Sequence, residues 1–421
     1  MRLAIVYHRP FYQDASGALW EAEGSFSRYV ESLARFIDEI YLIVPERREP
    51  FPGAAYQLRA TNVTLRSVPY YDRLPQFYTA LPRALVHLWR TLPACDLVNL
   101  RIPTWLGIYA YIIAKLRRKP LFLIVVGDLA GVAESVRITS LKRLAYRAYL
   151  AIEEPLQTWM VAGAPSFVNG QALYAKYIRP NRNVLLTTTS TIGDLDILDR
   201  PDTGLGTPGH APIRILTVSR IDPRKGLRNL PPALAELVRR GHDVRLTLIG
   251  PVVGMMGDEE RDAVVSSAQQ RGVGDRLEFL GARTLPQVLE IAREHDLFVL
   301  PTLPGEGVPR VLLEAMASGL PIVVSNVAGV PTLVQHEVNG LLVPPGEPLA
   351  IADAVERLIQ NHELRRRLIA TGNRAARAHT ADSHARKIAL GLAKMAGIHL
   401  RRGRGKALTP QPPLPQAGEG E

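Results

Sequence analysis

Residues Pro301–Gly319 read PTLPGEGVPRVLLEAMASG. An apolar segment, DLFVLPT (296–302), runs into this loop of Pro and Gly, and a short amphipathic stretch follows. Pro309 suits the first position of a helix, where its missing N–H costs nothing and its φ is already helical. Gly319 suits the position just past the end, and Pro321 blocks continuation. The spacing therefore predicts a helix over Arg310–Ser318, with Glu306 in the loop before it and Glu314 inside it. Between these two acids, the unpaired N–H groups of the first turn and the positive end of the helix dipole make a natural anion site. Each carboxylate can accept hydrogen bonds from hydroxyls. A diphosphate with polyhydroxyl groups at both ends has this composition; two solvated acids at a helix start are the plainer alternative.

Working upstream, the strand IRILTVS (213–219) ends at Arg220, and Ile221–Gly226 forms a loop before a helix over about Leu230–Arg240. Arg220 and Lys225 thus lie at the carboxyl end of a strand, where open α/β sheets bind ligands. An Arg fork suits phosphate and a Lys supplies a mobile point charge. Further strands are expected at 244–250, 277–281 and 321–326, with a helix over Pro348–Ile359 and two more to about Ala396. The Gly-rich run PVVGMMG after 250 is neither a G-x-G-x-x-G fingerprint nor a phosphate loop of the Walker type.

Two strings carry a resemblance. EGVPRVLLEAMASGLPIVVSNVAGVP, with its Glu306-x7-Glu314 spacing, and VSRIDPRKG are together similar to the signature of the retaining GT-B glycosyltransferases of family 4, also called group 1 glycosyltransferases. The likeness covers about Ile213–Leu358 well and the N-terminal half loosely. It implies an α/β GT-B fold, two doubly wound Rossmann-like domains facing a cleft. In that arrangement Arg220 and Lys225 would stabilise the departing nucleoside diphosphate, Glu306 would hold hydroxyls of the transferred sugar, and Glu314 the ribose hydroxyls. Gly307, Val308, Arg310 and Val311 are the expected donor contacts at the helix start, and Arg283 lies beside the segment whose backbone reads the base. The resemblance also implies transfer with retention of configuration.

The first half alternates short β-rich runs with helical stretches, the pattern of parallel sheets covered by helices. Strands are expected at Leu3–Tyr7, Ile40–Val44, Val63–Val68, Leu97–Leu100, Leu121–Val126 and Ser166–Val168, with helices at Ser25–Phe36 and Leu106–Leu116. Gly24, at the first strand–helix crossover, is either a donor-phosphate contact or a plain helix-start glycine. Asp128 stands where relatives often carry a histidine touching the transferred sugar; it is either a site residue or a helix-entry cap. Ser135–Ala162 reads as one long or broken helix.

Residues 198–212, LDRPDTGLGTPGHAP, are linker in composition. The expected division is an acceptor domain over 1–195, a linker over 196–212, a nucleotide-sugar domain over 213–398 and a disordered tail over 399–421.

A chain of 421 residues, 47% hydrophobic and 22% charged, has ample core for two such domains. A single cysteine, Cys95, excludes an internal disulfide framework and points to a reducing compartment. The N-terminus reads as a first strand rather than a leader, and no apolar run reaches spanning length. A cytoplasmic protein is expected, free or resting on the inner face of a membrane.

The net charge of +11 is uneven, with eight Lys and Arg between Lys115 and Arg147 against Asp128 and Glu134. Such a patch suits an anionic membrane surface or is a solvated face; no zinc-ligand or RNA-binding pattern supports a nucleic-acid partner.

The expected function is metal-independent transfer from a nucleoside-diphosphate sugar to a glycan, lipid-linked or small-molecule acceptor, with no cofactor. The alternatives are a catalytically degenerate nucleotide-sugar-binding protein and a GT-B sugar-nucleotide epimerase.

Overall fold

The computed structural model describes residues 1–398 apart from 23, 52–54, 72, 128–139, 180, 182, 189, 200–204, 206–211, 253, 305–307 and 328. Two parallel sheets dominate. The first has seven strands in the order Val184–Thr187, Ser166–Asn169, Leu121–Val125, Leu97–Ile102, Arg2–Val6, Glu39–Ile43 and Val63–Leu65. The second has six, in the order Leu277–Gly281, Val244–Ile249, Ile213–Val218, Leu297–Leu300, Ile322–Ser325 and Leu341–Val343. Strands covered by helices on both faces read as unbroken apolar runs, and LFLIV (121–125) and LFVL (297–300) are buried at every position.

Each sheet grows outward from its first strand, then crosses back to that strand's other side. The reversal falls between Arg2–Val6 and Leu97–Ile102 in the first sheet, where Ile5 pairs with Asn99 and Val6 with Leu100. In the second it falls between Ile213–Val218 and Leu297–Leu300. At such a point the loops leave in opposite directions and open a crevice at the carboxyl ends of the strands.

The expected strands are present, within a residue or two of their predicted ends for most. A small third sheet was not anticipated: Tyr56–Gln57, Leu19–Glu21, Phe11–Gln13, Pro45–Arg47 and Val68–Pro69. Its hairpin is closed by Asp14, whose carboxylate accepts from Ser16 N–H at 2.9 Å, Ala18 N–H at 3.0 Å and the Trp20 indole at 2.8 Å. The helix Leu74–Thr91 and the strand Val184–Thr187 are likewise additions.

The last helix, Ala381–Ala396, buries Ala385, Ile388 and Leu392 in the core that lines one face of the first sheet, with Leu3, Ile5, Val30, Leu33 and Phe167. Close approach is enforced at Gly391, where a Cβ would strike Phe167 and Leu185. By packing, residues 381–396 belong with the first sheet although they follow the second in sequence. No helix among the described residues is long and apolar enough to cross a membrane.

Candidate active site

The crevice of the second sheet is built from two loops that are stitched together. After Ile213–Val218 the chain turns at Asp222, which caps a short 3-10 turn, Pro223–Lys225, by accepting from Arg224 N–H at 2.9 Å. The same carboxylate takes Arg224 Nε at 3.0 Å and Nη2 at 2.6 Å. Burial works against the charge on Asp222, but the Arg224 hydrogen bonds outweigh it and hold its pKa below the ordinary range. Gly226 then takes φ 64°, and a Cβ there would run into the carbonyl oxygen of Pro301. The backbone of Leu303 donates to Arg224 O at 2.8 Å. The loop carrying Arg220 and Lys225 therefore lies against the segment that leads into the Glu306 loop. Lys225 is buried, at 8% exposure, while Arg220 is half exposed with Nη2 3.9 Å from Asp222 Oδ2. On the other side Ile221 N–H donates to Pro251 O at 2.9 Å. The Gly-rich run after 250 enters a helix, Gly254–Gln270, sooner than a loop reading expects.

The motif helix runs Val311–Ala317 with Arg310 at its N-cap, within the predicted bracket, and ends at Gly319 with φ 70°. Glu314 is partly buried. Its Oε1 accepts from Thr191 Oγ at 2.6 Å, and burial raises its pKa against the opposing pull of Thr191 and Arg310. Thr191 belongs to a seam of 191–198 between the two sheets. Arg28, on the first helix Ser25–Ala34, donates to Thr191 O at 3.2 Å and forms an ion pair with Asp196. Asp196 also accepts from Gly193 N–H at 2.7 Å. Leu198 N–H donates to Ala317 O at 2.8 Å, at the end of the motif helix, and Ala381 N–H to Ile192 O at 2.7 Å, at the start of the last helix. Asp194-Leu195-Asp196 is an Asp-x-Asp triplet, a spacing able to hold a metal, but Asp196 is engaged by Arg28. Arg28 and Thr191 carried no motif, the Asp-x-Asp triplet of Asp196 was overlooked, and all three residues escaped sequence reasoning.

Of the remaining candidates, Val308 lies near Gly170, whose Cβ position is 3.8 Å from Val308 Cγ2. That contact sets the carboxyl edge of the first sheet opposite the motif loop. Val311 opens the motif helix. Arg283 is exposed, its Nη1 donating to the neighbouring Ala282 carbonyl at 2.9 Å, and no described contact ties it to the crevice. Gly24 is the N-cap of the first helix at φ 78°, and a Cβ there would strike the Tyr56 ring. The N–H groups of Phe26 and Ser27 already bond to the Glu21 carboxylate, at 3.4 and 2.7 Å. The protein's own acid thus occupies the place a donor phosphate would take, which favours the helix-start reading of Gly24. Glu306, Gly307 and Asp128 lie outside the described residues, as do the side chains of Arg137, Lys142, Arg143 and Arg147 in the basic patch.

Residues 208–375 match the family described as Glycosyl transferases group 1. The amylovoran biosynthesis glycosyltransferase AmsK of Erwinia amylovora is 35% identical over 156 residues, 36% of this chain and 37% of that protein. A D-inositol 3-phosphate glycosyltransferase of Nocardia farcinica is 32% identical over 217 residues, 50% of this chain and 47% of that protein. The matched stretch thus spans less than half the length of either relative. Among solved structures, Anabaena Alr3699/HepE in complex with UDP-glucose aligns with 94% of this chain and 100% of its own at a TM-score of 0.67 and 19% identity. WaaG, a glycosyltransferase involved in lipopolysaccharide biosynthesis, aligns with 94% and 100% at 0.63 and 16% identity. Residues 208–375 are a group 1 glycosyltransferase domain, carried on a chain with the GT-B fold.

Proposed function

We propose that the chain is a glycosyltransferase that moves a sugar, with retention and without a bound metal, from a nucleoside-diphosphate sugar to an acceptor held by the first sheet. The observation that carries this reading is the stitched pair of loops at the second crevice: a buried Lys225 and a half-exposed Arg220 beside the segment entering the Glu306 loop. When the bond from the anomeric carbon to the diphosphate breaks, charge collects on the departing oxygen. Cations positioned at that oxygen stabilise the charge with little reorganisation. Glu306 would orient the transferred sugar through its hydroxyls, Glu314 would accept from the ribose, and Gly307, Val308 and Arg310 would line the phosphates. Uridine sugars are the first donors to try, since a structure of the same fold was solved with UDP-glucose. The acceptor is a glycan, a lipid-linked glycan or a small molecule.

The test is a thermal-shift screen with UDP-, GDP-, ADP- and TDP-sugars, each with and without EDTA, followed by product analysis with the responding donor. A ligand at a hundred times its Kd should stabilise by about 2.7 kcal/mol. A response unaffected by EDTA, with a product of retained configuration, is expected. Turnover that stops with EDTA would remove the metal-free mechanism. Donor alteration without acceptor would replace transfer by epimerisation, and binding without turnover would leave a binding protein.

A further inference from the structure

The strand Leu97–Ile102, LVNLRI, is buried at all six positions although it carries Asn99 and Arg101. Arg101 is 6% exposed, and its Nε and Nη1 are buried without a hydrogen-bond partner. Its guanidinium carbon lies 4.6 Å from the ring centre of Tyr29, 5.2 Å from Tyr7 and 5.6 Å from Phe26. Rings cover the faces of a guanidinium and supply some attraction, but they leave its N–H edge unsatisfied. Among the described residues no acid pairs with it. A buried, uncompensated cation costs several kcal/mol, so a fold that retains one has a use for it or a partner that arrives later.

Arg101 is not the only unfilled group. Asn99 accepts from Tyr29 OH at 2.8 Å, yet its Nδ2 is buried and unpartnered. The Nδ1 of His8, the Nε2 of His384 and the Oγ of Ser27 are also buried without partners. The same rings bind the set together: the His8 ring lies 4.3 Å from that of Tyr7, tilted by 51°, and His384 sits 5.9 Å from Tyr29, while Ser27 neighbours Phe26 on the first helix. His8 follows Arg2–Val6 and Arg101 lies near the carboxyl end of Leu97–Ile102, so the group straddles the reversal point of the first sheet, the counterpart of the site that carries Arg220 and Lys225 in the second.

We infer that this cluster of unpartnered groups binds an oxyanion, a phosphate, through the Arg101 fork and the surrounding N–H and O–H groups. If the transfer reading above holds, on which this last step rests, the phosphate is a charged group of the acceptor. Burial, together with the positive charges of Arg9 and Arg101 for His8 and of Arg101 and Lys387 for His384, pushes the two imidazoles down to about 4 and about 3. Both are therefore neutral at pH 7, and the positive charge comes from Arg101, with Arg9 near His8 and Lys387 near His384.

The experiment titrates the purified full chain with inorganic phosphate and, separately, with UDP, following the melting temperature of the wild type, Arg101→Met and Lys225→Ala. Phosphate should raise the wild-type melting temperature saturably and do the same in Lys225→Ala, but bind Arg101→Met at least about tenfold more weakly. UDP should behave the other way round. Arg101→Met should melt no lower than the wild type without ligand, because an apolar side chain relieves the buried charge. Absence of a wild-type phosphate response, its survival in Arg101→Met, or its loss in Lys225→Ala would each overturn the inference. If Arg101→Met does not fold, Asn99→Asp replaces it. That variant brings a carboxylate to the same face of the strand, two residues away, and should abolish the phosphate response; a retained response would overturn the proposal. A UDP response without a phosphate response defeats this site alone, and a phosphate response without a response to UDP, GDP, ADP or TDP defeats the transfer reading alone.

Discussion

The two sheets reverse their strand order at corresponding places, yet the crevices they open are finished differently. In the second, the polar groups are largely answered from within: Asp222 by Arg224, Glu314 by Thr191, and the Gly226 turn locked under Pro301. In the first, Arg101, Asn99, His8 and His384 leave buried atoms without partners. Each unpaired group costs stability, so a satisfied crevice is a preformed tool, whereas an unsatisfied one keeps polar groups whose chemistry is free to meet a ligand. The loop of the second crevice is held in place before any ligand arrives; the first depends on something that brings negative charge.

The strongest way to break this contrast is at Lys225. Lys225→Ala is expected to cut sugar transfer by about 10²–10³-fold, the range seen when one fixed electrostatic group is removed. The melting temperature should move by only a few degrees, and near-normal steady-state turnover would show that the second crevice is not the chemical centre.

Next comes the hinge of that preformed loop. Gly226→Ala forces a left-handed backbone on a residue with a Cβ and drives it into Pro301 O. It should cost about 1–3 kcal/mol in denaturant melts and weaken donor binding with it. Loss of stability with unchanged donor affinity would separate the loop from the site.

The first crevice can be sharpened with pH. Its two histidines are held neutral when folded, but in the unfolded chain they take up protons near pH 6.5. The unfolded state therefore binds more protons below that pH, and the stability these groups contribute is whole above it and lost as pH falls toward 4. Calorimetry should show a plateau from pH 8 to 7 and a decline from 6.5 to 5 that is shallower in His384→Gln. An unchanged slope in that variant would mean that the acid sensitivity arises elsewhere.

The smallest effect is expected at the seam. Thr191→Val removes the hydroxyl that Glu314 accepts and should raise the donor KM several-fold, about 1 kcal/mol, with Thr191→Ser restoring it. If Thr191 merely fills space, valine will serve as well as threonine.

Legibility followed the same division. The strands of both large sheets stood out because burial on two faces demands unbroken apolar runs such as LFLIV and LFVL, and the motif helix because Pro309 and Gly319 bracket it. The small third sheet was hidden because strands of two or three residues show no periodicity, as in Tyr56–Gln57 and Val68–Pro69. Pro82 inside Leu74–Thr91 broke a pattern that the fold tolerates. At the candidate site, Arg220, Lys225 and Glu314 were readable from local context, since loop and helix signals are short-range. Arg28, Thr191 and Asp196 were not, because their significance lies in partners 163 to 168 residues apart along the chain.

By itself, then, the amino-acid sequence determined the fold class and the alternation of strands and helices, and it singled out Arg220, Lys225 and Glu314 as candidates, all of which rest on residues near one another in the chain. Only the tertiary structure decided that Glu314 meets Thr191 at the seam and that Arg101 is buried without an acid. Those outcomes depend on which distant surfaces come together and which polar atoms find partners there, and no local pattern encodes them.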